Sequence, residues 1–301
     1  MKFLTFSEQG QPRLGMLCGE NRVLDLTRAL ADHGVAGPTC TVSDLIALGD
    51  EGIRLASDPV LLKGVDVAAL PALDTLHVLP PVEMKRNVFC VGRNYREHII
   101  EGNLARGRPA NAFPEAIEFF TKAPTTVVGH GAAVQRHAHL TDSLDYEVEL
   151  AIVIGRAGVN IPREQALEHV FGYTIVNDIT ARNLQARHGQ WFKGKSLDTT
   201  CPMGPVVVHR SAIADANNLA ISLTVNGELR QQDNTRDMIF DVAAVIEQLS
   251  AGLTLQPGDV IATGTPKGVG FALNPPRCLQ VGDVVSATVE HIGTLTNHIV
   301  D

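Results

Sequence analysis

The chain has 301 residues, enough for one large domain or a large one with a small companion, and 45% of them are hydrophobic, which excludes global disorder. Its 25 Lys and Arg against 33 Asp and Glu leave a formal charge of −8. That excludes the concentrated positive charge that nucleic acid or an anionic membrane surface requires. No apolar run approaches the length of a membrane span, and the first residues, MKFLTFSEQG, lack a signal peptide's long apolar region. The five cysteines (Cys18, Cys40, Cys90, Cys201, Cys278) are scattered without a C-x-x-C pair and read as reduced thiols of a cytoplasmic protein, with no metal assigned to them.

Residues 1–79 read as a small α+β domain, with strands in MKFLTF, RLGMLCG and NRVLDLT and a helix from Thr41 through Ala56 capped by Ser43. Pro80-Pro81 breaks regular structure and marks a boundary before a second domain, 82–301. In that domain Val88–Val91 is a short strand, and REHIIEGN is a helix stopping at Gly102. His98 and Glu101 are three apart and share a helix face, so the carboxylate can orient the imidazole and raise its basicity. A surface His/Glu pair is the bland alternative. The following NLARGRPANAFPEA reads as a mobile loop, and Phe119–Lys122 as a strand. His137 and His139 form an H-x-H, but no further ligand follows at zinc spacing, which favours solvent-facing or loop histidines.

In LDYEVELAIVI, Leu144 to Ile154, apolar residues fall on alternate positions of a strand, while Asp145, Glu147 and Glu149 begin the other face before Ala151 and Val153. A face that starts acidic and turns apolar enters the interior, where neighbouring carboxylates repel unless protonated or bridged by a cation. A solvated edge strand is the alternative. The next strand, Phe171–Val176, delivers Asp178, either as a third acid on a hard ion such as Mg²⁺ or Mn²⁺ or as the N-cap of the helix TARNLQARHG. On that helix Arg182 and Gln185 share a face, and Lys193 and Lys195 flank a glycine in the loop beyond. The remainder is largely β, with Asn226-Gly227 as a hairpin turn. The loop Gly264–Gly270 lacks the Lys-Ser/Thr end of a phosphate-binding loop, but its glycines let backbone approach a ligand.

Six ordered motifs, CVGRNYREH, DYEVELAIVIG, GYTIVNDITARNLQ, WFKGKSLDTTCPMGP, VNGELRQ and GDVIATGTPKGVG, resemble the fumarylacetoacetate hydrolase (FAH) family from Val88 to the C-terminus. The resemblance implies a fold of the α+β class, mainly β: a mixed β-roll catalytic domain behind a small N-terminal domain, commonly as a homodimer. It puts Glu147, Glu149 and Asp178 on a Mg²⁺ or Mn²⁺ ion and leaves Asp145 without a role. It matches His98 and Glu101 to a water-activating dyad, Lys195 rather than Lys193 to the active-site lysine, and Arg182, Gln185, Thr265 and Lys122 to the substrate pocket. Where animal fumarylacetoacetate hydrolases have a further metal-binding Asp, this chain has Asn94, which points to the acylpyruvase and isomerase branch.

The activity so implied is hydrolysis of a carbon–carbon bond in a small 2-oxo acid of the 2,4-dioxo (acylpyruvate) type. His98 takes a proton from water and Lys195 stabilises the oxyanion. The alternative is a 2-oxo acid decarboxylase or a dienoate isomerase or tautomerase sharing the enolate chemistry. A metal-stabilised binding module without catalysis is the contrasting class, and a base and an oxyanion donor beside the acids argue against it.

Overall fold

The computed structural model describes residues 1–34 and 39–301. The chain is α+β and mainly β, as expected. Its largest sheet runs in the order Arg22–Asp25, Gln11–Cys18, Lys2–Glu8, Cys201–His209, Val170–Asn177, Val148–Ile154, Val260–Ala262, Val88–Gly92 and Glu118–Lys122. His77–Leu79 adds to Lys2–Glu8, and Val127–Val128 runs parallel to Cys201–His209. The strands of the first 79 residues therefore extend the central sheet through the pairing of Lys2–Glu8 with Cys201–His209. A second, five-stranded sheet holds Glu228–Asn234, Ala220–Val225, Val284–Val289, Gly293–Val300 and Ala133–Gln135. Its hairpin turns at Asn226-Gly227, where both residues take positive φ (53° and 79°), the conformation this pair adopts most readily.

The expected strand at 144–154 is divided. Leu144–Asp145 pairs with Thr180–Ala181, and Val148–Ile154 pairs with Val170–Asn177 and Val260–Ala262. Every residue of Val148–Ile154 is buried. Val148, Leu150, Ile152 and Ile154 join one hydrophobic cluster, shared with Leu223, Val285 and Leu295 of the second sheet. Ala151 and Val153 join another, shared with Phe3, Leu14 and Leu45 near the N-terminus. Burying one such Leu or Ile stabilises the fold by about 1.5–3 kcal/mol, so a strand facing two cores is held in register from both sides. The solvated-edge alternative does not hold.

Three local expectations are corrected. The helix expected over 41–56 is two, Val42–Ala47 and Gly49–Ala56, because Gly49 takes φ +58°. Its cap is Thr41, whose Oγ1 accepts from the Asp44 N–H at 3.1 Å while the Asp44 carboxylate accepts from the Thr41 N–H; Ser43 instead accepts from the Glu83 N–H. The helix Arg96–Ala105 passes through Gly102, which is buried against Phe271, and ends at Gly107 with φ +65°. A helix stops at a glycine that can turn left-handed, and here that is the later one.

Candidate active site

Glu147 and Glu149 precede and enter the strand Val148–Ile154, and Asp178 follows its antiparallel neighbour Val170–Asn177, whose Asn177 is the register partner of Val148. The Asp178 N–H donates to the Glu147 carbonyl at 2.8 Å, and Asn177 Oδ1 accepts the Glu147 N–H at 3.0 Å. This cross-strand lock brings one carboxylate oxygen from each of Glu147, Glu149 and Asp178 within 4.8 Å of one another, all three residues buried. Asp178 does not cap the next helix. Arg182–Arg187 has Ala181 at its N-cap and no side-chain cap.

Three cations offset the acids. Lys195 Nζ lies 2.7 Å from Glu147 Oε2 and 2.5 Å from Asp178 Oδ2. Arg182 Nη2 lies 2.7 Å from Glu147 Oε1 and 2.9 Å from Asp145 Oδ2. Lys122 Nζ lies 2.8 Å from Asp178 Oδ1 but outside hydrogen-bonding geometry; it donates to the Ile179 carbonyl at 3.0 Å, and Asp178 Oδ1 accepts no hydrogen bond. Burial works against the charge on Glu147, yet Lys195, Arg182 and His98 outweigh it and hold that carboxyl below its ordinary pKa. Burial, Asp178 and Glu147 push Glu149 well above its ordinary value. Three converging buried carboxylates, one with an oxygen that accepts no hydrogen bond and one whose pKa is raised by burial and its acidic neighbours, fit a hard divalent cation.

The glycine-rich loop 264–271 does approach a ligand set with its backbone, but the ligands are the chain's own acids. Gly264 N–H donates to Glu149 Oε2 at 2.7 Å, Gly268 N–H to both Glu101 oxygens at 3.0 Å, and Gly270 and Phe271 N–H to the two oxygens of Asp145 at 2.8 and 3.1 Å. Gly268 takes φ +104°, and a Cβ there would run into the Arg230 carbonyl. Glu101 Oε1 is also 3.0 Å from His98 Nδ1. With Nδ1–H donated to the carboxylate, Nε2 is the nitrogen left with a free lone pair.

His98, Glu147, Glu149, Arg182, Gln185, Lys195 and Thr265 line one small cleft. Asp178 floors the acid cluster beneath it, and Glu101 stands behind His98. Lys195 is buried and Lys193 exposed. Lys122 departs from its expected place. It is fully buried beside Asp178 and does not line the cleft, although Phe120 two residues earlier on its strand does. Asn94 is a staple rather than a ligand; its Nδ2 donates to the Phe240 and Thr263 carbonyls at 2.9 and 2.8 Å and its Oδ1 accepts from the Phe240 N–H. His137 and His139 gather no third ligand among the described residues, and His137 Nε2 bonds the Asp198 carbonyl.

Arg93, Arg106, Phe120, Trp191 and Phe271 also line the cleft, though no spacing in the sequence marks them. Arg93 ion-pairs with Glu118, and Phe271 lies beneath both Arg106 and Arg182, with centroid distances of 4.8 and 4.4 Å. Trp191 is the only tryptophan in the chain, a signal available from composition alone.

A histidine held by a carboxylate, beside three buried acids close enough to hold a metal ion, is the arrangement of an enzyme site. Residues 87–300 match the family described as fumarylacetoacetate (FAA) hydrolase C-terminal. The chain is 44% identical over 310 aligned positions to oxaloacetate tautomerase YisK of Bacillus subtilis (strain 168), covering 99% of this chain and 100% of that protein. Among solved structures, fumarylacetoacetate hydrolase from psychrophilic Exiguobacterium antarcticum is 41% identical with a TM-score of 0.82, covering 100% of this chain and 99% of that one. A 5-carboxymethyl-2-hydroxymuconate delta-isomerase from Mycobacterium smegmatis is 31% identical with a TM-score of 0.73 over 100% and 99% of the two chains. The chain belongs to the fumarylacetoacetate hydrolase family and is an enzyme of it.

Proposed function

We propose that the enzyme moves a proton between C3 and the 2-oxo oxygen of a small 2-oxo acid, tautomerising a 2-oxo dicarboxylic acid such as oxaloacetate. The observation that carries the reading is the carboxylate-held His98 opening on the same small cleft as Glu147 and Glu149. The full-length similarity to an oxaloacetate tautomerase supports the choice of substrate. Glu147, Glu149 and Asp178 would hold a divalent ion, Mg²⁺ or Mn²⁺. Such an ion, when bound, supplies positive charge that lowers the cost of negative charge developing on a 2-oxo oxygen.

His98 Nε2 accepts the C3 proton, the C–H electron pair becomes the C2–C3 double bond, and the carbonyl electrons move onto oxygen. Return of that proton to the oxygen gives the enol, and its return to C3 restores the ketone. Glu101 keeps Nδ1–H donated, so the base stays in one tautomer. Arg182 and Lys195 place fixed positive charge at the acid end of the cleft, where substrate carboxylate and enolate oxygens collect. A homodimeric, cytoplasmic enzyme is part of the same proposal.

A second reading, hydrolysis of an acylpyruvate carbon–carbon bond, uses His98 on water instead of on C3; the 41% identity to a fumarylacetoacetate hydrolase favours it. Decay of enol-oxaloacetate absorbance and consumption of acetylpyruvate, each followed with Mg²⁺, separate the two. Tautomerisation well above the buffer rate, lost in His98→Gln, is the expected result. Acetylpyruvate cleavage without tautomerisation overturns the first reading in favour of the second.

A further inference from the structure

Asp145 is the one acid of the cluster with neither a place in the carboxylate triad nor a part in the proton transfer. It is nevertheless wholly buried, and its carboxylate gathers more hydrogen bonds than any triad member. Oδ2 accepts from Arg182 Nε at 2.9 Å and from the Phe271 N–H at 3.1 Å; Oδ1 accepts from the Gly270 N–H at 2.8 Å and the Tyr146 N–H at 3.0 Å. Its backbone is paired with Thr180, two residues before Arg182. Arg182 therefore has two counter-charges, Asp145 through Nε and Nη2 and Glu147 through Nη2 alone. Its Nη1 is 3.3 Å from Gln185 Oε1 on the cleft wall, and its guanidinium lies over the Phe271 ring at 4.4 Å.

We propose that Asp145 is a positioning residue, which fixes the Arg182 guanidinium and the Phe271 end of the glycine-rich loop so that the arginine faces the substrate carboxylate whatever Glu147 is engaged with. Any cation shared by Glu147 weakens that residue's hold on Arg182. Asp145, lying outside the triad, keeps its hold. A carboxylate accepting four donors is also confined to one rotamer, so Arg182 is aimed and not merely neutralised. The inference rests on the reading of the cleft as a 2-oxo acid site.

The test is a double-mutant cycle of Asp145→Asn, Arg182→Met and the pair, read by enol-oxaloacetate kinetics, Mn²⁺ titration and melting temperature. Asn reverses one acceptor into a donor facing Arg182 and the Phe271 N–H. The expected result is a KM raised by about 10- to 100-fold with kcat largely kept, and a double variant no worse than Arg182→Met. Mn²⁺ binding should fall far less than in Glu149→Gln. Three results overturn the proposal: losses that multiply in the pair, Mn²⁺ binding lost as fully as in Glu149→Gln, or a drop in kcat and melting temperature at constant KM. Should Asp145→Asn fail to fold, a folded double variant supports the proposal, since removing Arg182 removes the need for its partner. An unfolded double variant beside a folded Arg182→Met refutes it. A wild type that enolises no 2-oxo acid defeats the functional reading, while the melting and Mn²⁺ arms still decide on Asp145.

Discussion

Replacing Lys195 by Met removes one of three cations from a nearly closed set of charges. Lys122, Arg182 and Lys195 face the carboxylates of Asp145, Glu147 and Asp178, while burial and the neighbouring acids raise the pKa of Glu149. Lys195 alone bridges Glu147 and Asp178, at 2.7 and 2.5 Å, and it is 2% exposed. Met keeps the length of the chain and leaves Glu147 with Arg182 alone and Asp178 with Lys122 alone. Breaking a buried pair in this way costs about 3–5 kcal/mol. At roughly 2–4 °C per kcal/mol for a chain of this order of size, the melting temperature should drop by about 10 °C in EDTA. A divalent ion restores the missing charge, so saturating Mn²⁺ should stabilise Lys195→Met more than wild type. Differential scanning fluorimetry with and without Mn²⁺ reads both effects. A variant that melts with the wild type in EDTA, or that gains no more from Mn²⁺, refutes the charge balance.

Gly268→Ala forces a Cβ against the Arg230 carbonyl and moves the amide off Glu101; activity should fall by about 10- to 100-fold while Mn²⁺ binding is kept, and equal loss of both would contradict the separation of dyad from triad. Asn94→Asp should not create a fourth ligand. A carboxylate there faces the Phe240 and Thr263 carbonyls, so the variant should lose about 3 kcal/mol in denaturant melts, and tighter Mn²⁺ binding would show the staple role to be mistaken. The three tyrosines, Tyr95, Tyr146 and Tyr173, are all buried, and burial raises each pKa, that of Tyr173 to about 12. A raised folded pKa gives stability that is whole below the unfolded value near 10 and is lost as pH rises through the folded one. Tyrosinate absorbance should therefore stay flat through pH 10 and rise together with unfolding; an ordinary titration in the folded state would contradict the burial.

The acids were legible because their spacing is local. Glu147 and Glu149 are two apart, and the face they begin continues as Ala151 and Val153, all of it buried in the structure. His98 and Glu101 were legible for the same reason on a helix, and Asn226-Gly227 in a hairpin. The partners that give these residues their roles are not local. Asp145 meets Gly270 and Phe271 across 125 and 126 residues, Glu101 meets Gly268 across 167, and Asn94 meets Phe240 across 146. No periodicity records such contacts. Lys122 shows the converse: its strand was legible, but which side of Asp178 its side chain would take depends on how the sheet packs. Gly102 and Gly107 also differ in what surrounds them, since Gly102 is buried against Phe271 and a Cβ at Gly107 would meet open space.

In the proposed reaction His98, over the Glu147–Glu149–Asp178 site, moves the C3 proton of a 2-oxo acid. Its most direct measurement is C3 hydrogen–deuterium exchange into oxaloacetate in D₂O, followed by NMR for wild type with Mg²⁺, wild type with EDTA, and His98→Gln with Mg²⁺. Rapid exchange is expected in the first and a rate close to buffer in the other two. Exchange at the wild-type rate in His98→Gln, or exchange indifferent to EDTA, would contradict it.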